Sequence, residues 1–235
     1  TDPLHFPVAF PEVFEEDRPG FDVIVGNPPW EKAKVEEHEF WARKNPGLRG
    51  LPAAKREARI AELRSSRPDL LAELHKEQES EQRLSDLLTN GPYPDMGKGD
   101  PDMYKAFCWR FWHLTHSDGS VGVVLPRAAF IGPGTEKFRI TLLESGLIRD
   151  ATFLTNNGGW VFDHVHQQYT IALLSFKRGG EEGDRVVSLR GPYADAGSYE
   201  RGIAREAATF SPEEAKGWAG SATFPLLPAD PAAVE

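Results

Sequence analysis

The feature that most constrains this chain is a short apolar run that ends in two prolines. Phe21-Asp22-Val23-Ile24-Val25 is apolar at every position but Asp22, the pattern of a strand buried on both faces, and it runs straight into Gly26-Asn27-Pro28-Pro29-Trp30. Proline fixes φ and cannot donate to a sheet ladder, so the strand must stop there and the backbone after it is stiff. At average residue usage an Asn-Pro-Pro-aromatic tetrapeptide arises by chance in only about one chain in several hundred of this length. In open α/β sheets functional groups gather at the carboxyl ends of strands, which makes Asn27 to Trp30 the first candidate site.

The remaining chain supplies a setting for that strand. Residues 31–99 are charged and helical in pattern: Pro68 opens a segment with Leu70, Leu71 and Leu74, and Leu84, Leu87 and Leu88 repeat the i, i+3, i+4 spacing. This stretch reads as a helical insertion. From residue 100 helix and strand alternate: a helix over Asp102 to His116, a turn at Ser117-Asp118-Gly119, and a buried strand over Val121 to Leu125 stopped by Pro126. A loop at Gly132-Pro133-Gly134 leads to a helix with Thr135 as N-cap and Gly146 as its C′ residue. Strands follow at Ile148 to Leu154 and Tyr169 to Phe176, the second predicted to be central, with a short edge strand at Val186 to Leu189 and a modest helical stretch at Pro212 to Trp218. The alternation predicts an α/β domain with a largely parallel sheet. At 235 residues and 40% hydrophobic content the chain suits one domain of ordinary size.

Composition excludes several classes. A single cysteine, Cys108, leaves no internal disulfide framework and no multi-cysteine zinc site. No apolar run approaches a membrane span and the start lacks a signal-peptide layout, so the chain reads as cytoplasmic; beginning at Thr1, it reads as processed or as an excerpt of something longer. The net charge of −9 comes entirely from the flanks, because residues 31–99 hold 13 basic and 13 acidic side chains. An acidic balance argues against this chain alone gripping a phosphate backbone, though a catalytic domain can take its grip from another module.

The chemistry that needs a rigid Asn-Pro-Pro-aromatic turn is methylation of an exocyclic amine. Such a nitrogen is a poor nucleophile because its lone pair is delocalised into a ring. Two acceptors aimed at its N–H bonds return the lone pair to nitrogen, and the Asn27 side-chain oxygen with the Pro28 carbonyl can be those acceptors, held ready by Pro28 and Pro29. Trp30 offers a flat face for a base.

These residues resemble the amino-methylating DNA methyltransferases, and within them the adenine-specific methylase domain of type II restriction–modification enzymes. Phe10-Pro11-Glu12-Val13-Phe14 followed by Gly20 to Trp30 is similar to that family's entry into its catalytic motif. Gly99-Asp100, Met103-Tyr104 and Phe107 resemble its following helix, Gly119 to Pro126 its next strand, and Val161-Phe162 with Tyr169 to Phe176 its late motif, the match running over about residues 4–180. The resemblance implies a Rossmann-like S-adenosylmethionine-dependent methyltransferase fold with a mixed sheet and a helical insertion. It implies S-adenosyl-L-methionine as cofactor, contacted by Tyr104, Phe107 and Pro29, and duplex DNA as partner. The target adenine would be flipped between Trp30 and Phe162, with N6 on Asn27 and Pro28. No metal is implied. Residues 1–190 would form the catalytic part and 191–235 a trailing segment toward a target-recognition domain.

One departure from the family matters. Its Gly-rich donor loop and ribose-binding acid precede the Asn-Pro-Pro-Trp strand, and only 20 residues precede Phe21 here. The chain therefore reads as the C-terminal part of such a domain, inactive in isolation, with the remainder of its own polypeptide completing the donor site. Two alternatives stay open: the same chemistry on cytosine N4, RNA guanine N2 or a protein glutamine, and a non-catalytic scaffold.

Weaker constellations have ordinary readings beside the functional ones. His113 and His116 at i, i+3 suggest zinc only with a third ligand. Asp163, His164 and His166 flank Phe162 as loop polarity or base contacts. Glu214-Ala215-Lys216 imitates a nuclease motif without the preceding Asp strand. Lys105, Arg110 and Arg127 are surface cations or phosphate contacts, and Arg43, Lys44, Arg49, Lys55, Arg56 and Arg59 form the more strongly basic DNA-facing candidate.

Overall fold

The computed structural model describes residues 4–15, 17–163, 165–180, 185–218 and 222–227. The chain forms two compact units, one holding the chain up to Glu31 and from Tyr93 onward, the other Lys32–Pro92.

The larger unit is built on a six-stranded sheet in the order β1-β2-β4-β3-β5-β6, with β1 at Phe21–Gly26, β2 at Thr115–Pro126, β3 at Gly146–Thr155, β4 at Thr170–Arg178, β5 at Val187–Tyr193 and β6 at Ala208–Phe210. Two short helical turns, α1 (Phe6–Ala9) and α2 (Pro11–Phe14), precede β1, and their Phe6, Phe10 and Phe14 surround the Phe21 ring edge-on. β1 runs parallel to β2 and β3 parallel to β5, while β2 with β4, β3 with β4 and β5 with β6 are antiparallel. The sheet is mixed, as the resemblance implies, and not largely parallel. A loop over residues 156–169 carries β3 into β4, and β4 inserts between β2 and β3.

Register explains which face is the core. Val121, Phe176 and Ile148 align across β2, β4 and β3; so do Val123, Leu174 and Ala151, with Leu189 beyond them on β5, and Leu125, Ala172 and Phe153. All ten are buried. Over them lie α6 (Met103–Leu114), α7 (Ala128–Ile131), α8 (Glu136–Ser145) and α10 (Pro212–Gly217), contributing Cys108, Trp109, Trp112, Phe130, Phe138, Leu142 and Ala215 to the same core. On the opposite face Val25, Gly122 and Ser175 form a row, and over β1 that face is open: Val23 is 63% and Val25 82% exposed. β1 is also an edge strand, so it is not buried on both faces as its sequence predicts.

Several boundaries differ from the sequence reading, each for a tertiary reason. α6 stops at Leu114, because Thr115 already pairs with Phe21 and His116 Nε2 meets Asp22 Oδ1 at 2.9 Å. Ser117-Asp118-Gly119 is an irregularity inside β2 rather than a free turn. Gly146 is extended and begins β3. Thr135 occupies the N-cap position of α8 without capping it, since its hydroxyl donates to Gly132 O and accepts from Arg139 Nη1. β5 is internal, covered by β6. The segment after residue 190 is not separate: α9 (Ala196–Ile203), β6 and α10 belong to the sheet unit, and Phe224 sits in its core, with its amide on Phe130 O and its carbonyl held by Arg127. Residues 228–235 lie outside the described residues.

The smaller unit contains α3 (Glu37–Lys44), α4 (Ala53–Ser66) and α5 (Pro68–Asn90). Phe40, Trp41, Leu48, Ile60, Leu63, Leu70 and Leu74 form a core of its own, so the insertion is a separate compact unit where the sequence suggests one domain. Pro68 at the first turn of α5 and the Leu70/Leu74 spacing account for that helix. The sheet unit resumes at Tyr93, earlier than the expected boundary at residue 99; the Pro94 carbonyl accepts from Trp109 Nε1 at 3.2 Å. Among the described residues no helix is long and apolar enough to cross a membrane.

Candidate active site at the carboxyl ends of the strands

Because β1 and β2 are parallel and β4 runs against both β2 and β3, the carboxyl ends of β1, β2 and β3 emerge at one end of the sheet, together with the start of β4. The Asn27-Pro28-Pro29-Trp30 turn leaves β1 there, and the loop between Thr155 and Thr170, which carries Phe162, leaves β3 at the same end. Two segments far apart in sequence thus meet. The Trp30 and Phe162 rings lie edge to face, with centroids 6.3 Å apart and planes at 85°.

Asn27 is exposed and Pro28 buried. Neither the Asn27 side chain nor the Pro28 carbonyl is hydrogen-bonded to any described residue. Two acceptors are therefore unused on a stiff turn. Trp30 is half-buried, and its Nε1–H, closed off from solvent, donates to no described acceptor. The turn is fastened on both sides. The Glu31 carbonyl accepts the Met103 amide at 2.9 Å, tying it to the first turn of α6. Behind the strand end, a Cβ on Gly26 would come within 2.8 Å of Phe111 Cζ, so glycine is what lets that ring pack against the backbone. Phe107, one turn earlier on α6, is half-buried and 5.8 Å from Phe111.

The site residues read from the sequence separate accordingly. Asn27, Pro28, Pro29, Trp30 and Phe162 come to one end of the sheet, and Pro29 is exposed. Tyr104 does not share the surface of Phe107: it turns into the core, where burial pushes its phenol pKa up. Asp163 is exposed and His166 Nδ1 accepts the Gln168 amide, which accounts for these two as loop polarity; His164 lies outside the described residues.

The expected cation contacts are largely corrected. Lys105 is buried, on Asp102 at 3.1 Å and the Asp100 carbonyl, and Arg127 folds inward over Phe153 at 4.8 Å. In the insertion Arg43, Lys44, Arg49 and Arg59 pair with Glu77, Glu73, Glu39 and Glu62, so four of the six cations counted along the sequence carry a carboxylate partner. His116 is taken by Asp22 and the Asp118 amide; among the described residues no cluster of three or more His, Cys, Asp or Glu could hold a metal. Glu214 caps α10 through Ser211, and its backbone hydrogen bond there holds the carboxyl below its ordinary value; Lys216 pairs with Glu144.

Sequence reasoning missed Asn156. It is fully buried, and its side chain holds the Phe162 loop through four hydrogen bonds. Beside Asn157 and two glycines it reads as ordinary loop polarity, so no local signal marks it.

Solved chains similar to this one include a modification subunit assigned to a type I restriction enzyme of Vibrio vulnificus YJ016, 15% identical, covering 83% of this chain and 34% of that one, with a TM-score of 0.47. The methyltransferase subunit of a type I restriction-modification system from Streptococcus thermophilus is 16% identical, covering 91% and 40%, with a TM-score of 0.47. A DrdV–DNA complex is 13% identical, covering 80% and 17%, with a TM-score of 0.42. The chain spans well under half the length of each. No protein-family model and no curated protein matches it. The function proposed for this chain rests on the strand-end geometry.

Proposed function

We propose that this chain is the C-terminal part of the catalytic domain of a site-specific DNA methyltransferase, acting on adenine N6 in duplex DNA with S-adenosyl-L-methionine, in a restriction–modification or phage-defence system. The observation that carries the reading is the pair of unused acceptors, Asn27 Oδ1 and the Pro28 carbonyl, on a proline-stiffened strand end beside the Trp30 and Phe162 rings.

Asn27 and Pro28 accept the two N6 hydrogens of the flipped adenine and draw the nitrogen lone pair out of the ring. Because the Pro28 carbonyl belongs to the stiff backbone and Asn27 projects from it, little backbone reorganisation is needed at the moment of reaction. Trp30 and Phe162 flank the base, and stacking of about 1–3 kcal/mol per ring offsets the few kcal/mol of unstacking it from the duplex. S-adenosyl-L-methionine, when bound, supplies the electrophilic methyl group. Phe107 and Pro29 keep exposed surface with which to form one wall of its site.

The other walls, in this reading, come from the remainder of the same polypeptide. Support for that partner is the state of β1, an edge strand with two valines bare on one face. Native sheets seldom leave an apolar edge uncovered, since it templates pairing with other chains.

The test is to incubate the full-length protein with methyl-labelled S-adenosylmethionine and unmodified DNA, digest to nucleosides and identify the labelled base. Label in N6-methyladenine is expected. Label in N4-methylcytosine keeps the mechanism and overturns the substrate. No label in DNA, with donor bound, overturns the DNA reading and directs the assay to RNA and protein amides.

A further inference from the structure

The loop joining β3 to β4 is organised by one side chain. Asn156 is 0% exposed. Its Nδ2 donates to the carbonyls of Phe162 and Val165, both at 2.9 Å, and its Oδ1 accepts from the amides of Val161 at 3.1 Å and Phe162 at 3.0 Å. Two bonds donated and two accepted use the full complement of a primary amide in a buried site. Its own amide donates to the Tyr169 carbonyl at 3.1 Å, which closes the loop at its far end.

The distribution of these bonds is informative. Closing a loop requires a bond across its neck, and the Asn156 amide provides it. The side chain does something further: it holds Phe162 by both its N–H and its C=O, and also binds Val161 before it and Val165 after it. A fully satisfied buried polar network of this kind rigidifies the backbone it binds. Trp30, edge to face with Phe162, is held differently, by packing against the sheet core, and its enclosed Nε1–H has no described acceptor.

We infer that Asn156 is the positioning residue for one wall of the base slot: it fixes the Phe162 backbone, from which the ring that flanks the base projects. The inference rests on the reading of this site as a base slot. Asn156 touches no substrate and acts through Phe162.

The experiment uses the full-length protein as wild type, Asn156→Ala, Asn156→Asp, Phe162→Ala and the Asn156→Ala/Phe162→Ala double variant. Methyl incorporation into unmodified DNA is measured with kcat and KM for DNA separated, donor binding is measured alongside, and hydrogen exchange is followed at the Val161 and Phe162 amides. Asn156→Ala is expected to lower kcat roughly tenfold with donor binding unchanged. Val161 and Phe162 lose exchange protection while β3 and β4 keep theirs. The double variant is no slower than Phe162→Ala alone, and Asn156→Asp, which retains the acceptor but not the donors, is intermediate. Should Asn156→Ala not fold, Asn156→Asp carries the same comparison. Losses that multiply in the double variant, or unchanged exchange at Val161 and Phe162, overturn this proposal and leave the methyltransferase reading standing. A wild type that transfers no methyl to DNA overturns the DNA reading and this proposal with it, so wild-type activity tells the two failures apart.

Discussion

The Trp30 indole meets the Phe162 ring edge to face, with centroids 6.3 Å apart and planes at 85°. A base sandwiched by two rings needs near-parallel walls about 7 Å apart, twice an ordinary carbon–carbon contact. The slot is therefore closed, and entry exchanges one ring–ring contact worth about 0.5–1.5 kcal/mol for two base–ring stacks of about 1–3 kcal/mol each. What this exchange gains is set against the few kcal/mol of unstacking the base from the duplex. Trp30→Ala should lower kcat/KM for DNA methylation about tenfold to a hundredfold, and Trp30→Phe much less. Steady-state rates with labelled donor check this; equal losses in the two variants would remove stacking from the account.

Asn27→Ala should have a larger effect than any ring substitution. In the proposed mechanism it removes an acceptor carried on a stiff turn where charge develops, and the loss of one such group is worth about a hundredfold to a thousandfold in kcat. The check is single-turnover methyl transfer with donor binding measured in parallel. An active Asn27→Ala enzyme would refute the assignment of the turn.

Val25 lies on the open face of the edge strand β1. Taken alone, the 235-residue chain should self-associate, and Val25→Lys should suppress this, because a lysine on an edge opposes pairing. If the remainder of the polypeptide covers that face, as proposed, the same substitution in the full-length protein should lower the melting temperature. Light scattering and thermal melts decide; no effect in either setting would argue that β1 stays bare.

Cys108 is enclosed in the sheet core, and burial pushes its thiol up to about 12. It should resist thiol reagents in the native state under mildly alkaline conditions and react fully in denaturant. Rapid labelling of folded protein would show that α6 opens readily from the sheet.

In the insertion, burial raises the Glu37 carboxyl, but the Arg64 and Trp41 hydrogen bonds outweigh it, and the net position is below the ordinary 4.5. Folded Glu37 thus binds its proton less readily than unfolded Glu37. The stability this contributes is complete above the unfolded value and is lost as pH falls through the lowered folded one. Denaturant midpoints of the insertion should decline in acid, and less steeply in Glu37→Gln. Equal slopes in the two proteins would discount the Arg64 pair.

Legibility in the sequence followed the range of the interaction. The Asn27 to Trp30 turn, β1, α5 and β4 were readable because prolines and local periodicity act over a few residues. The end of α6 was not, because Thr115 leaves the helix to pair with Phe21, a partner no local pattern names. The insertion cations illustrate the same limit: composition counts Arg43 and Lys44 as a basic run, while folding brings Glu77 and Glu73 from α5 onto them.

By itself the sequence determined where β1 ends and which groups stand there, because two consecutive prolines dictate backbone geometry without help from distant residues. Only the tertiary structure decided that the Phe162 and Trp30 rings, paired in expectation through the resemblance, meet edge to face and that Asn156 holds the Phe162 loop. Those relationships depend on β4 inserting antiparallel between β2 and β3, and strand order is set by non-local side-chain packing whose alternatives share one and the same local pattern.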